Sequence, residues 1–212
     1  MNGNDLFAAY WALQNSPPAG YRRVEYIESS GKQWIDTGCI LGMDDVISSV
    51  FAYLQSYASV TMAFGWQETK RDDHIYSYIS NNVGLRFAFL SPTVEAVPYT
   101  LGQKIYLTRL DKQGYTVNGI SYERTVDKVL RNLSISLFCQ TYNSQSSYNN
   151  YASARFYSFN IAGKRNYVPY VRIADSKPGM YDLCGSICPL TNSPFYVNAA
   201  TGPDFTWGEL QS

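Results

Sequence analysis

The sequence predicts an all-β fold built as a two-sheet antiparallel sandwich. Short segments rich in Val, Ile, Phe and Tyr recur along the chain, with turn residues between them. Asn118-Gly119 separates two alternating segments, and this dipeptide is the strongest short-range sign of a β-hairpin. No sustained helical period follows residue 20, and 212 residues suit a single sandwich domain.

Residues 1–20 differ from the rest of the chain. Asn4 or Asp5 can cap a short helix. Apolar side chains follow at spacings of three and four, namely Leu6, Phe7, Tyr10, Trp11 and Leu13. Ser16-Pro17-Pro18-Ala19-Gly20 ends the helix in a stiff hinge. Because so short a helix is unstable alone, we expect its apolar stripe to dock on its own sandwich, a sister subunit or a larger particle.

The strand candidates follow in order after this hinge. Alternation and β-forming residues predict strands over 22–28, 33–37, 45–55, 59–66, 74–80, 83–90, 104–110, 115–117, 120–126 and 132–140. A strand over 154–161 is predicted to place Ala154, Phe156, Ser158 and Asn160 on one face. It places Arg155, Tyr157, Phe159 and Ile161 on the other. A Gly163-Lys164 turn and a strand over 167–169 come next.

Three segments resemble laminin-G-like, concanavalin A-like jelly-roll domains of phage tail and fibre proteins and of gut-bacterial surface proteins. They are the opening phrase VEYIESSGKQWIDTG, the hairpin YLTRLDKQGYTVNGISY and the closing segment over 152–208. Together they cover about half of the chain. The resemblance implies a jelly-roll domain over 21–212, preceded by the helix and hinge of 1–20.

The balance of charge excludes two classes of partner. The chain has 17 Lys and Arg against 17 Asp and Glu. A nucleic-acid partner needs a basic face, and polybasic membrane docking needs a cluster of cations, so we expect neither. No apolar run approaches the roughly 20 residues of a membrane-spanning helix, and we see no signal peptide.

The residue pattern predicts a non-enzyme without a cofactor. A laminarinase-like glycosidase of this fold would carry Glu-x-Asp-x-x-Glu on one strand, and that string is absent. Asp44-Asp45 and Asp72-Asp73 are neighbours, whose side chains point to opposite faces of a strand. The single histidine, His74, has no Gly-x-Ser-x-Gly partner.

The cysteines and acidic residues do not form a recognisable metal motif. Cys39, Cys139, Cys184 and Cys188 lack paired ligand spacing, so the sequence favours free thiols in a reducing compartment over a Cys184–Cys188 disulfide. Asp36, Asp44 and Asp45 could contribute oxygens to calcium, yet no loop carries a dense Asp and Asn series. We therefore predict no metal site.

The best candidate for binding is the uncharged loop Gln140–Tyr151. It carries the candidate glycan-binding residues Tyr142, Asn143, Tyr148, Asn149 and Tyr151. Tyrosine rings offer rigid contact area and amides offer adaptable hydrogen bonds, a mixture that suits sugars. A polar loop without a ligand, or one packed against a neighbouring subunit, is the alternative. Trp66 is a second candidate.

Two functional hypotheses follow. The first is a non-enzymatic phage virion protein of fibre or decoration type, in which residues 1–20 anchor or oligomerise the sandwich. Its partners are other virion proteins, further copies of itself in a trimer suggested by the resemblance, and cell-surface polysaccharide. The second is a bacterial carbohydrate-binding module or surface adhesin.

Overall fold

The chain folds as a sandwich of two β-sheets. The computed structural model describes residues 17–57, 59–67, 74–81, 84–90, 96–124, 126, 134–142 and 148–211. Within these residues every regular element is a strand, so the predicted all-β, jelly-roll-like sandwich is confirmed. The predicted helix and its apolar residues Leu6, Phe7, Tyr10, Trp11 and Leu13 lie outside the described residues.

The described residues form eighteen strands. In chain order they are β1 (Tyr21–Arg23), β2 (Ile27–Ser30), β3 (Ile35–Ile40), β4 (Ile47–Tyr53), β5 (Thr61–Gln67), β6 (His74–Ser80), β7 (Gly84–Phe89), β8 (Ile105–Asp111), β9 (Gly114–Val117), β10 (Ile120–Glu123), β11 (Ser134–Leu137), β12 (Gln140–Tyr142), β13 (Tyr148–Asn149), β14 (Ser153–Ile161), β15 (Arg165–Arg172), β16 (Lys177–Asp182), β17 (Phe195–Tyr196) and β18 (Thr206–Trp207).

The two sheets differ in size and regularity. The larger has the order β10-β9-β8-β4-β14-β15-β16-β17, with β2 beside β14, β18 beside β2 and β1 beside β15. In the smaller sheet β6 lies between β7 and β5, and both β11 and β12 lie on the other side of β5. Beyond them, β3 pairs with β11 and β13 pairs with β12. The β12–β5 pairing is parallel, so this sheet is mixed.

Several predicted strands are divided in the structure. The segment 22–28 forms β1 and β2, separated at Val24, which makes an isolated bridge to Leu210. The segment 132–140 is divided at Phe138, whose φ of 65° lies in the left-handed region. The predicted loop Gln140–Tyr151 carries β12 and β13, so its interpretation as a loop throughout is wrong.

The face assignment predicted for 154–161 is also wrong beyond Tyr157. Phe156 pairs with Phe51 of β4 and Ser158 pairs with Val50, so Tyr157 is an extra residue in a β-bulge. The bulge reverses the alternation, and both Phe156 and Phe159 are buried in the core. Tyr157 lies on the outer face against Tyr26, with ring centroids 5.5 Å apart.

The Asn118-Gly119 hairpin is confirmed in detail. Asn118 has φ 50° and Gly119 has φ 79°, and both values belong to the tight turn expected for this dipeptide. Ile120 pairs with Val117 across the turn. The Asn118 side chain accepts a 3.0 Å hydrogen bond from the Tyr106 amide, which ties the turn to β8.

The core between the sheets is rich in aromatic rings. Phe51 of the larger sheet lies against Phe64 and Phe87 of the smaller one, with centroids 5.9 and 6.3 Å apart. A polar contact also crosses the core, since the buried Tyr53 hydroxyl donates to the Ser77 carbonyl at 2.8 Å and accepts from the Ala63 amide at 2.9 Å. Ala63 lies at a β-bulge of β5, where the pairing of β5 with β6 provides no acceptor for its amide. The Tyr53 hydroxyl is that acceptor.

The hinge that precedes the sandwich is attached to it at its last residue. The Gly20 carbonyl accepts a 2.9 Å hydrogen bond from the Ile173 amide. The Tyr21 amide donates to the Pro18 carbonyl at 3.0 Å. Tyr21 then packs against Tyr181 and Phe195 on the outer face of the larger sheet. These contacts fix Gly20 and Tyr21 against the larger sheet.

Candidate functional site

A stacked pair of aromatic rings lies on the outer face of the smaller sheet. Trp34 immediately precedes β3 and Tyr148 opens β13. Their ring centroids are 3.6 Å apart with an interplanar angle of 28°. Both side chains are only half-buried. Ile35 is buried in the core, so the pleat of the chain directs its neighbours Trp34 and Asp36 outward, although part of the Trp34 side chain still packs against the core.

Asp36 lies beside the Tyr148 ring and completes the site. The Tyr148 hydroxyl donates to Asp36 Oδ2 at 2.9 Å. Asp36 Oδ1 accepts from the Ser134 hydroxyl at 3.0 Å and from the Gly38 amide at 2.9 Å. A carboxylate offers about four lone-pair positions, so these bonds leave Oδ2 able to accept another. We call Trp34, Asp36 and Tyr148 the stacking site.

The electrostatics keep the Tyr148 phenol protonated. Burial raises its pKa well above the usual range, and the Asp36 charge and the hydrogen bond to Asp36 raise it further. Burial also raises the pKa of Tyr151, whose hydroxyl donates to the Tyr148 carbonyl at 3.1 Å. Both rings therefore present neutral hydroxyl groups across the physiological range of pH.

Amide side chains stiffen the strands beside the stacking site. Asn150 Nδ2 donates to Gln140 Oε1 at 2.9 Å, and Gln140 Nε2 donates to Gln67 Oε1 at 2.8 Å. Gln140 is completely buried, so its amide must be bonded within the protein. This chain of amides links β5, β12 and the residue after β13, and it holds Tyr148 in register with Thr141.

The structure brings only part of the predicted residue set together. Tyr148 belongs to the stacking site and Tyr151 bonds to it, whereas Asn143 lies outside the described residues. Asn149 follows Tyr148 in β13, so its side chain points to the opposite face, where no group among the described residues donates to its buried Oδ1. Tyr142 is half-buried at the end of β12.

The interpretation of Trp66 as a glycan-stacking residue needs correction. Its side chain is 0% exposed and packs in the core between the sheets. A sugar can stack only on a ring face that solvent reaches, and Trp66 offers none. The tryptophan that is partly exposed beside Tyr148 is Trp34, which the sequence pattern did not single out.

A second polar cluster closes one end of the larger sheet. Asp182 is completely buried and accepts from the backbone amides of Asn166 and Cys184, at 2.8 and 3.0 Å. It also accepts from the Ser186 hydroxyl, and Arg165 Nε lies 3.7 Å from Asp182 Oδ2. These contacts anchor the segment after β16 to β15, so the cluster stabilises the fold.

The described residues do not assemble a recognisable catalytic or metal centre. His74 is 3% exposed and stacks on Tyr76, with centroids 4.4 Å apart. Within the described stretches no three His, Cys, Asp or Glu side chains are grouped to hold a metal ion. All four cysteines are free thiols, and burial raises the pKa of Cys39 and Cys139.

Over the described part of the chain, no helix has the length and apolar character needed to cross a membrane.

Comparison with known proteins identifies no relative in the two collections searched. A scan against protein-family models finds no match, and a search of curated proteins finds none either.

Proposed function

We propose that the protein is a non-enzymatic structural and attachment protein of a phage virion, which binds host-surface glycan at the stacking site. The observation that carries the proposal is the half-buried Trp34–Tyr148 stack beside Asp36. An aromatic face covers the apolar side of a sugar ring, and a carboxylate oxygen accepts from the sugar hydroxyls. The rigid sandwich presents both groups in a fixed geometry, at low entropic cost.

The virion part of the proposal is supported by the sequence. The opening, middle and closing segments resemble jelly-roll domains of phage tail and fibre proteins. Residues 1–16 carry an apolar stripe and join the sandwich through a Pro-Pro hinge, an arrangement suited to docking on a larger particle. A bacterial carbohydrate-binding module or surface adhesin would use the same stacking site, and assembly separates the two alternatives.

Glycan binding is tested with the full chain. In affinity electrophoresis through gels containing neutral or acidic polysaccharides, we expect at least one polysaccharide to retard the wild-type protein. Trp34→Ala removes one ring of the stack, so we expect binding to weaken at least about tenfold. Tyr106→Ala, which removes a ring 50% exposed on the larger sheet, is the matched control and should bind as wild type does. Failure of every polysaccharide to retard the wild type would refute glycan binding.

The role of residues 1–16 is tested by assembly. Light scattering should give the mass of an oligomer for the full chain and of a monomer for a variant starting at Pro17. This variant keeps the Gly20–Ile173 and Tyr21–Pro18 hydrogen bonds, so the sandwich should remain folded. A monomeric full chain would count against assembly through this segment and would favour the stand-alone carbohydrate-binding module.

A further inference from the structure

The charge of the stacking site has no partner of opposite sign among the described residues. Asp36 makes three hydrogen bonds, to Ser134, Gly38 and Tyr148, and each donor is neutral. No Lys or Arg of the described stretches forms an ion pair with Asp36, whereas Asp44 pairs with Lys112 and Asp45 with Lys164. Within the part of the chain that the structure describes, this carboxylate therefore contacts only neutral donors.

The influence of this charge extends to neighbouring groups. Burial and the Asp36 charge both raise the pKa of Tyr148. Burial also raises the pKa of the Cys139 thiol, with Asp36 adding to the rise. The part of each rise that comes from Asp36 is that of a nearby negative charge, which disfavours formation of a second anion. Any acidic group of a ligand on the Trp34–Tyr148 stack meets the same unfavourable potential.

We propose that the stacking site selects glycans without acidic groups, because the Asp36 carboxylate, which no described Lys or Arg pairs with, accepts from ligand hydroxyls and repels ligand carboxylates. This inference rests on the proposed function and names the substrate class of the same site. Selection works through both an attraction and a repulsion, as it does at specific interfaces generally. A sugar hydroxyl has a free lone-pair position on Asp36 Oδ2, whereas a uronate in its place would add a second negative charge.

The experiment compares matched ligands. A neutral polysaccharide that retards the wild-type protein is compared with its own 6-carboxyl derivative, in which a carboxylate replaces the C6 hydroxymethyl group on the same backbone. At low ionic strength we expect the derivative to bind at least about tenfold more weakly than the neutral parent. Because salt screens charge repulsion between partly exposed groups, the gap should narrow as the salt concentration rises toward 1 M.

Two variants assign the effect to Asp36. Asp36→Asn removes the charge and keeps an acceptor oxygen, so the ratio between the neutral and carboxylated affinities should fall toward one. Asp44→Asn makes the same change at an exposed position of the larger sheet's periphery and should leave the ratio as in the wild type. Circular dichroism verifies that each variant is folded. If Asp36→Asn does not fold, the wild-type protein tests the inference instead: an affinity gap between the two ligands that does not narrow with salt would overturn it.

The outcomes separate the inference from the proposed function. Equal or tighter binding of the 6-carboxyl derivative by the wild type would overturn the inference and leave glycan binding standing. An unchanged ratio in a folded Asp36→Asn variant would also overturn it. If no polysaccharide of either kind binds the wild type, both the inference and the glycan-binding function are refuted.

Discussion

Replacement of Phe51 by Ala should lower the free energy of unfolding by about 3–5 kcal/mol, the usual cost of removing a buried phenyl ring. Phe51 is 0% exposed, and its ring contacts Phe64 and Phe87 across the sandwich and Phe156 on the neighbouring strand. The cavity left by the ring would be lined by the rigid side chains of two sheets. These side chains cannot move far enough to fill the cavity, so the decrease in the free energy of unfolding should lie toward the upper end of the range.

Denaturation in urea followed by fluorescence measures this loss. Tyr106→Ala is the control, since Tyr106 pairs with Val50 beside Phe51 but is 50% exposed. We expect the control to change stability by less than about 0.5 kcal/mol, as substitutions on the surface usually do. A loss below about 1 kcal/mol for Phe51→Ala would contradict the packing of rings between the two sheets.

The parts of the fold that sequence predicts well are those decided by neighbouring residues. The Asn118-Gly119 turn needs positive φ at two adjacent positions, and only a few residue types adopt it readily, so the dipeptide itself contains the information. The predicted strand over 74–80 has the same first and last residues as β6. In each case local preference and the final structure agree.

The parts that sequence predicts badly depend on the partner strand. Nothing between Ala154 and Ile161 indicates that Tyr157 is an extra residue, because a bulge is defined by the register against β4. The division at Phe138 likewise arises where one strand leaves β3 and the next joins β13. Long-range pairing decides these features, and a pattern of alternation cannot encode it.

The stacking site shows the same limit. Tyr148 was predictable as a tyrosine in an uncharged, amide-rich segment, whereas Asp36 lies in β3, which pairs with β11, and Trp34 immediately precedes that strand. The hydrogen bond between Tyr148 and Asp36 joins positions 112 residues apart in the chain. Alternation could have shown that Trp34 and Asp36 share an outward face. Their partner becomes visible only when the folded chain brings Tyr148 against Trp34 and Asp36.

Replacement of Asp182 by Ala should cost about 2–4 kcal/mol of stability, because it removes a completely buried acceptor on which several part-buried donors converge. The backbone amides of Asn166 and Cys184 would each lose their acceptor. The Ser186 hydroxyl would lose one as well, and the nearby Arg165 guanidinium would lose its counter-charge. Water cannot easily replace a carboxylate that is completely buried.

Asp182→Asn separates the hydrogen bonds from the charge. Asparagine keeps an oxygen that can accept from the two backbone amides, but it cannot balance Arg165. If the amides dominate, urea denaturation should place Asp182→Asn much closer to wild type than Asp182→Ala. If the charge dominates, the two variants should be similarly destabilised. Asp44→Ala, at an exposed carboxylate, is the control and should change little. An equally small change for Asp182→Ala would show that this cluster does not hold the segment after β16 to the sheet.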